Sequence, residues 1–302
     1  MGAQILDSDY LAITGIVTVF YQFIFFVIAA TLKIENVAEF AGTSNFVILA
    51  ALTYFLNGTH GIRQLVLTLA VIVWGVRLGL FLFYRTWHWG ADKRIEEKRN
   101  NLFKFAALWV LQGLWVWTVS LPITVVNGRF KNQSPHLRAH DFVGWLMWII
   151  GMKIEVFGDQ TKIFWQSLPT KGRWCDAGLW SWSRHPNYFG EILLWWGIFL
   201  AAMPELTGTQ FAVIASPIFV TFMLLFVTGI PVLESTADQV HGSNAQYRLY
   251  KQNTSVLIPL PPALYGKLPR WCKTVFLLDF PFYSSGLRDE KQEQHDIYAP
   301  YV

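Results

Sequence analysis

This chain is expected to fold as an all-α, polytopic membrane protein with about seven transmembrane helices. Three observations carry that expectation. Of its 302 residues, 53% are hydrophobic and 15% are charged, where a soluble domain carries about a quarter charged residues. The apolar residues fall in blocks long enough to cross a bilayer, which takes roughly 20 residues per helix. Finally, 15 Trp and 11 Tyr supply rings suited to the membrane interfaces. The formal charge of +4 fits a positive-inside bias. No Lys/Arg strip interleaved with aromatics stands outside the membrane-flanking loops, so no nucleic-acid partner is expected.

The start, Met-Gly-Ala-Gln-Ile-Leu-Asp, lacks a basic n-region and does not read as a signal peptide. Leu6 occupies the position where a myristoylation signal needs Ser or Thr. The first span is the apolar run Tyr10–Leu32, followed by the shorter Ser44–Leu56 and by Ile62–Tyr84. The fourth, Leu102–Val126, holds Gln112, a side chain that needs a partner at that depth and can glue helices together. The fifth, Phe142–Phe157, is interrupted by Lys153 and Glu155, which are expected to snorkel to the boundary. The sixth, Tyr188–Met203, opens after Pro186, whose missing N–H costs nothing in a first turn. Its Trp195-Trp196 pair reads as packing or interface. The seventh is Thr209–Leu233, and Pro259-Leu260-Pro261-Pro262 closes the last helix-like stretch. With no internal repeat or linker, residues 1–302 read as a single integral-membrane domain.

Loop charge sets the orientation. Arg85, Lys93, Arg94, Lys98, Arg99 and Lys104 follow the third span, and Lys162, Lys171, Arg173 and Arg184 follow the fifth. An odd number of spans puts both loops and the C-terminus on one side, the cytosol by the positive-inside rule. Arg129, Lys131 and Arg138 form a smaller basic loop on the other side. In a eukaryotic cell the expected membrane is the endoplasmic reticulum, with the sequons at Asn57 and Asn132 facing its lumen. Cys175 and Cys272 are far apart, without metal-ligand spacing, and read as ordinary thiols.

The polar motifs gather on the expected cytosolic side. Asp159, Gln160 and Lys162 end the fifth span, and Lys171-Gly172-Arg173-Trp174 follows. Then comes Ser183-Arg184-His185-Pro186-Asn187-Tyr188-Phe189-Gly190-Glu191, and beyond the seventh span Glu234, Asp238, Tyr247 and Tyr250. Cations suit phosphates, and the first amides of a helix beginning at Pro186 add an anion-binding end. Asn and Asp suit ribose hydroxyls or a carboxamide, and Trp or Tyr can stack on a flat ring. A pocket so lined fits a dinucleotide. The plainer readings are that Lys171 and Arg173 meet lipid headgroups and that His185 only opens a helix. Glu191, ionisable at the edge of a span and one turn beyond Asn187 and Tyr188, reads as functional.

The segment from Ser183 to Glu191, with Glu234 and Tyr247-x-x-Tyr250 leading to Ile258-Pro259, resembles the DUF1295 branch of the steroid 5α-reductase family. The sterol Δ14- and Δ7-reductases of that superfamily show a similar Arg-His-x-Asn-Tyr segment. The resemblance is strongest from Asp159 to Pro262, which would form the cofactor-binding part (residues 159–262), and reaches back to Tyr84-Arg85-Thr86-Trp87. It implies a membrane-embedded reductase that uses NADPH to reduce a lipophilic alkene or enone. The implied cofactor contacts fall on Asp159, Lys162, Arg173, Arg184, His185, Asn187, Tyr247, Tyr250 and Arg85, with Tyr188 and Glu191 in or beside the chemistry. No metal is implied.

The chain departs from that family on the substrate side. Steroid reductases place a Glu in the second helix and a Tyr in the third; here Ser44–Leu56 holds no acid and Leu82 takes the Tyr position, leaving Tyr54 and Tyr84 as unaligned substitutes. A shorter Arg-x-Pro-x-Tyr-x-Gly pattern is shared with isoprenylcysteine methyltransferases, so a SAM-dependent methyltransferase is the second reading. SAM carries no phosphate and has less need of Lys162, Lys171 and Arg173. The third reading, a non-enzymatic lipid-binding or transporter-like protein, lacks the symmetric halves that transporters often show.

Overall fold

The computed structural model describes residues 6–33, 37–58, 60–90, 101–129, 136–168 and 173–287. Among these the secondary structure is helical, with one isolated bridge between Ser183 and Ser255. The long helices are α1 (Leu11–Leu32), α2 (Val37–Asn57), α3 (Ile62–Trp89), α4 (Leu102–Gly128), α5 (Ala139–Ser167) and α6 (Pro186–Ala202). Shorter ones follow: α7 (Ala215–Phe222), α8 (Ile230–His241), α9 (Ala245–Asn253), α10 (Pro262–Tyr265) and α11 (Arg270–Leu277). Five stretches among the described residues are long and apolar enough to cross a membrane: α1, α2, α3, α4 and Gly208–His241. The chain is therefore an integral-membrane type of protein, but the expected count of about seven spans reduces to five on length and apolarity. The α5 helix is diluted by Lys153, Glu155, Asp159 and Lys162, and α6 has only 17 residues.

The expected single helix over Thr209–Leu233 is broken. A 3₁₀ turn over Gly208–Ile214 leads into α7, which passes into a π-turn over Met223–Val227, where the Thr228 amide donates to the Met223 carbonyl at 2.9 Å. The chain then bends at Gly229, where a Cβ would sit 2.4 Å from the Leu224 carbonyl oxygen. Pro231 enters the first turn of α8, where it forfeits no hydrogen bond. Hydropathy is blind to such a break because the residues across it are mostly apolar.

The chain forms two compact units. The first comprises Met1–Ile149 and Leu193–Val220. Here α1, α2 and α4 close around Ala29, Ala38, Ala41, Phe105 and Trp109. Trp195 is fully buried, with its ring edge-on to Trp74 at 4.9 Å and tilted against Phe46, so the packing reading of this residue is right. Gln112 donates to Gln22 Oε1 at 3.0 Å and to the Ala38 carbonyl at 2.9 Å, the helix-gluing role expected of it. Buried Arg63 grips both Asp141 oxygens, at 2.6 and 2.7 Å, and also Glu205, tying α3 to α5 and to the turn after α6. Gly144 abuts Gly197, where a Cβ on either would lie 2.5 Å from the other's carbonyl oxygen.

The second unit comprises Ile150–Ile192 and Thr221–Val302. Its core is Leu225, Ile230, Val256, Leu257 and Tyr283, with Tyr188, Phe189 and Ile192 of α6 packed against it. The α5 and α6 backbones touch: a Cβ at Gly190 would meet the Gly151 carbonyl at 2.5 Å and the Glu155 amide at 2.7 Å. Small residues permit such close approach in helix pairs built for membranes. Glu155, expected to snorkel outward, is instead buried beside this crossing, while Lys153 is exposed as expected.

Candidate functional site

The second unit holds a cavity of about 370 Å³ whose walls come from the end of α5, the segment between α5 and α6, and α8 and α9. Its size is that of a small-molecule site. A run of 3₁₀ turn over Gly178–Ser181 and the bridge Ser183–Ser255 bring the Arg184-His185 pair to it. The Arg184 amide donates to the Ser255 carbonyl at 2.7 Å, and Ser183 Oγ donates to the Leu257 carbonyl at 2.7 Å. The segment before α6 is thus stitched to the segment after α9.

Arg184 is buried and fully used by the protein. Its Nε faces Glu234 Oε1 at 3.1 Å, and Nη1 donates to the Lys251 and Thr254 carbonyls at 2.8 and 2.9 Å. Its Nη2 reaches Asp279 at 3.4 Å. Burial alone would lower its pKa, but Glu234 and Asp279 outweigh that and raise it. Lys251 pairs with Asp238 Oδ1 at 2.6 Å and with Glu234 Oε2 at 3.0 Å. Buried charges so paired avoid the heavy cost of a lone one.

His185 faces Glu234 Oε1 through Nε2 at 2.8 Å, and its Nδ1 has no partner among the described residues. Burial lowers its pKa, against the pull of Glu234, so the neutral ring is the resting form. Its partner assigns the tautomer: Nε2–H donates to the carboxylate, leaving Nδ1 as a buried acceptor. Tyr188 stacks on this ring, with centroids 5.6 Å apart and planes 11° from parallel.

The rest of the wall is aromatic and basic. Lys162 Nζ lies 4.5 Å from the Trp180 ring centre, and Arg173 Cζ lies 5.4 Å from that of Trp174. Both are cation–π distances. Arg173 also pairs with Asp176 at 2.9 Å. Trp174 sits edge-on to Tyr247 at 5.2 Å. Tyr247 donates to Asp238 Oδ1 at 2.9 Å and Tyr250 to the Trp180 carbonyl at 2.7 Å. Burial raises the pKa of both phenols, with Glu234 reinforcing it, so both stay protonated donors.

Lys162, Arg173, Arg184, His185, Tyr247 and Tyr250 thus line one cavity. Asp159 and Asn187 form a separate pair, Asn187 Nδ2 donating to Asp159 Oδ1 at 3.1 Å, where α6 lies so close that a Cβ on Gly158 would be 3.2 Å from the Asn187 amide. Tyr188 and Glu191 lie on α6, half-buried, with Tyr188 against the Leu225–Ile230 core. Arg85 belongs to the first unit, where it pairs with Glu39 while Thr86 Oγ1 donates to the same carboxylate at 2.8 Å. Glu39 corrects the expectation that the second helix holds no acid: α2 begins at Val37, seven residues before the predicted start. Lys93, Arg94, Lys98, Arg99, Lys131, Asn132 and Lys171 lie outside the described residues.

Sequence reasoning missed Lys251, Tyr265 and Asp279, which complete the Arg184 network. Only Lys251 carried a signal, its i,i+4 spacing from Tyr247 on α9. No curated protein and no solved structure matches the chain. Residues 25–254 match the family described as "Protein of unknown function (DUF1295)". That span takes in most of the helical core and Arg184, Glu234 and Lys251 of the network, with Tyr265 and Asp279 beyond it, and the chain belongs to the DUF1295 family.

Proposed function

We propose that this protein is a membrane-embedded reductase that binds NADPH in the cavity of its second unit and reduces a lipophilic alkene or enone. The observation that carries the reading is the make-up of one cavity wall: Lys162 and Arg173 beside the rings of Trp174, Trp180, Tyr247 and Tyr250, with His185, whose buried Nδ1 has no partner among the described residues, in the same lining. Cations suit phosphates, flat rings suit a base or a nicotinamide, and an acceptor suits a carboxamide N–H. NADPH bound there would supply a hydride for the carbon–carbon double bond. Asp159 and Asn187, bonded to each other outside the cavity lining, are left without a direct cofactor contact in this reading. Tyr188 and Glu191, three apart on α6, would hold or deliver the proton that must accompany the hydride. The resemblance to steroid reductases supports the substrate class, and membrane lipid is the medium from which it would come. S-adenosylmethionine fits less well, since it has no phosphate for Lys162 and Arg173.

The test is nucleotide titration of the purified protein in uncharged detergent. NADPH should bind more tightly than NADH, and Lys162→Ala and Arg173→Ala should each weaken NADPH by about 10-fold or more, the loss of about 1.5 kcal/mol or more for a charge-assisted hydrogen bond. Equal binding of both nucleotides, or binding of S-adenosylmethionine in their place, overturns the reading. Single-turnover kinetics on Tyr188→Phe and Glu191→Gln then assign the proton: wild-type hydride transfer in both variants removes both residues from the chemistry.

A further inference from the structure

A second cavity, of about 850 Å³, opens in the same unit beyond Arg184, walled by α9, α11 and the segment that follows them. Its charge is one-sided. Arg184, Arg248, Lys251, Arg270 and Lys273 line it against a single carboxylate, Asp279. That carboxylate is already engaged, since Oδ1 faces Arg184 and Oδ2 accepts from the Tyr265 hydroxyl. Arg184 and Lys251 are neutralised by Glu234 and Asp238 from behind. Arg270 and Lys273 are not: among the described residues neither makes an ion pair. Lys273 Nζ donates to the Gln252 carbonyl at 3.1 Å and lies 4.2 Å from the Tyr265 ring centre. Burial and the field of Arg184 lower the Lys273 pKa, against the pull of Asp279. Among the described residues, therefore, the cavity wall carries more positive charge than its one carboxylate offsets.

The helix that carries these two cations is amphipathic. On α11, Trp271, Val275 and Phe276 are exposed at 62%, 62% and 65%, and Leu264 of the preceding turn at 52%. Exposed rings and aliphatics beside Arg270 and Lys273 are the pattern of a helix lying in the headgroup layer of a membrane. Most of this wall lies beyond residue 254, where the family match ends.

We infer that this second cavity is a binding site for a phosphoryl dianion, held by Arg270 and Lys273, and that the exposed apolar face of α11 favours a phosphorylated lipid headgroup as its source. The inference does not depend on the nucleotide reading, which concerns a different cavity wall. Two donors with no carboxylate partner can both turn to one phosphate, Arg270 in paired fashion and Lys273 as a point charge.

Isothermal titration of the protein in uncharged detergent tests this with three probes: dihexanoyl phosphatidic acid, dihexanoyl phosphatidylcholine and inorganic diphosphate. Phosphatidic acid should bind saturably and phosphatidylcholine should not. The double variant Arg270→Ala/Lys273→Ala should weaken phosphatidic acid by roughly 10-fold or more, whereas Arg270→Lys/Lys273→Arg retains most of the affinity. The thermal melting midpoint should be the same in both variants and the wild type, which shows that they fold. Diphosphate binding as tight as phosphatidic acid, and equally sensitive to the double variant, supports the site and assigns it a soluble ligand. Absence of saturable binding by either phosphate probe overturns the inference, as does binding that the Ala double variant leaves unchanged.

Discussion

Arg184 and His185 are adjacent, and their partners divide their roles. Arg184 has a carboxylate or carbonyl for each nitrogen, so truncating it would strand two buried carbonyls and leave Glu234 with Lys251 and His185. Removing one partner of a buried pair costs about 3–5 kcal/mol. Arg184→Ala is therefore expected to lower the unfolding midpoint sharply in a denaturant or thermal melt, with Arg184→Lys intermediate. A variant that melts like the wild type would show that the network carries no stability. His185 sets a pH limit. Its folded pKa lies below the ordinary 6.5, so between those two values the unfolded chain binds more protons and stability rises with pH. The contribution is complete above about pH 7.5 and is lost as pH falls through 6.5 toward the folded value. His185→Gln should flatten the pH dependence of the melting temperature over that window; an unchanged slope would place the titration elsewhere. Both residues were legible as a motif. Their partners were not, because Asp279 is 95 residues from Arg184 in sequence and only the chain's return brings it there.

Among the elements, the pairing of α5 with α6 rests on glycine. Gly144, Gly151 and Gly158 recur every seventh residue on α5, and Gly190 and Gly197 are likewise seven apart on α6. A Cβ on Gly144, Gly190 or Gly197 would lie 2.5 Å from a facing carbonyl oxygen, an approach that a methyl group would block. Gly190→Ala would force the helices apart and should destabilise by about 1–3 kcal/mol, the usual cost of overpacking. Gly113→Ala is the control: its Cβ would meet Gln22 Cγ at an ordinary 3.6 Å. Thermal melts of the two variants in detergent check this, and equal melting temperatures would count against the close crossing. This periodicity could be read from the sequence once a partner helix is assumed. The same holds for α2, where Glu39 lay in plain view but hydropathy began the helix at Ser44. The break at Met223–Gly229 had no such warning, since a π-turn depends on which carbonyl an amide finds.

For the whole molecule, loop charge predicts a cytosolic C-terminus. A C-terminal tag in sealed microsomes should therefore be digested by added protease, while a tag at the N-terminus is spared; protection of the C-terminal tag would reverse the orientation. Asn57 drops out as a luminal marker, because its side chain is buried and donates to the Asn127 and Arg129 carbonyls, leaving no exposed amide to modify. What the chain declares without its fold is the solvent it lives in, the helices of its first half, and the stretch where its polar chemistry is concentrated. Those follow from composition and local spacing, which water and lipid impose on every residue in the same way. Only the tertiary structure decides that Arg184 is consumed by Glu234 and two carbonyls, that Nδ1 of His185 remains as an acceptor, and that Arg270 and Lys273 face a cavity whose one carboxylate among the described residues, Asp279, is held by Arg184 and Tyr265. A charge's role depends on which opposite charge reaches it first, and that is settled by contacts between residues far apart in the sequence.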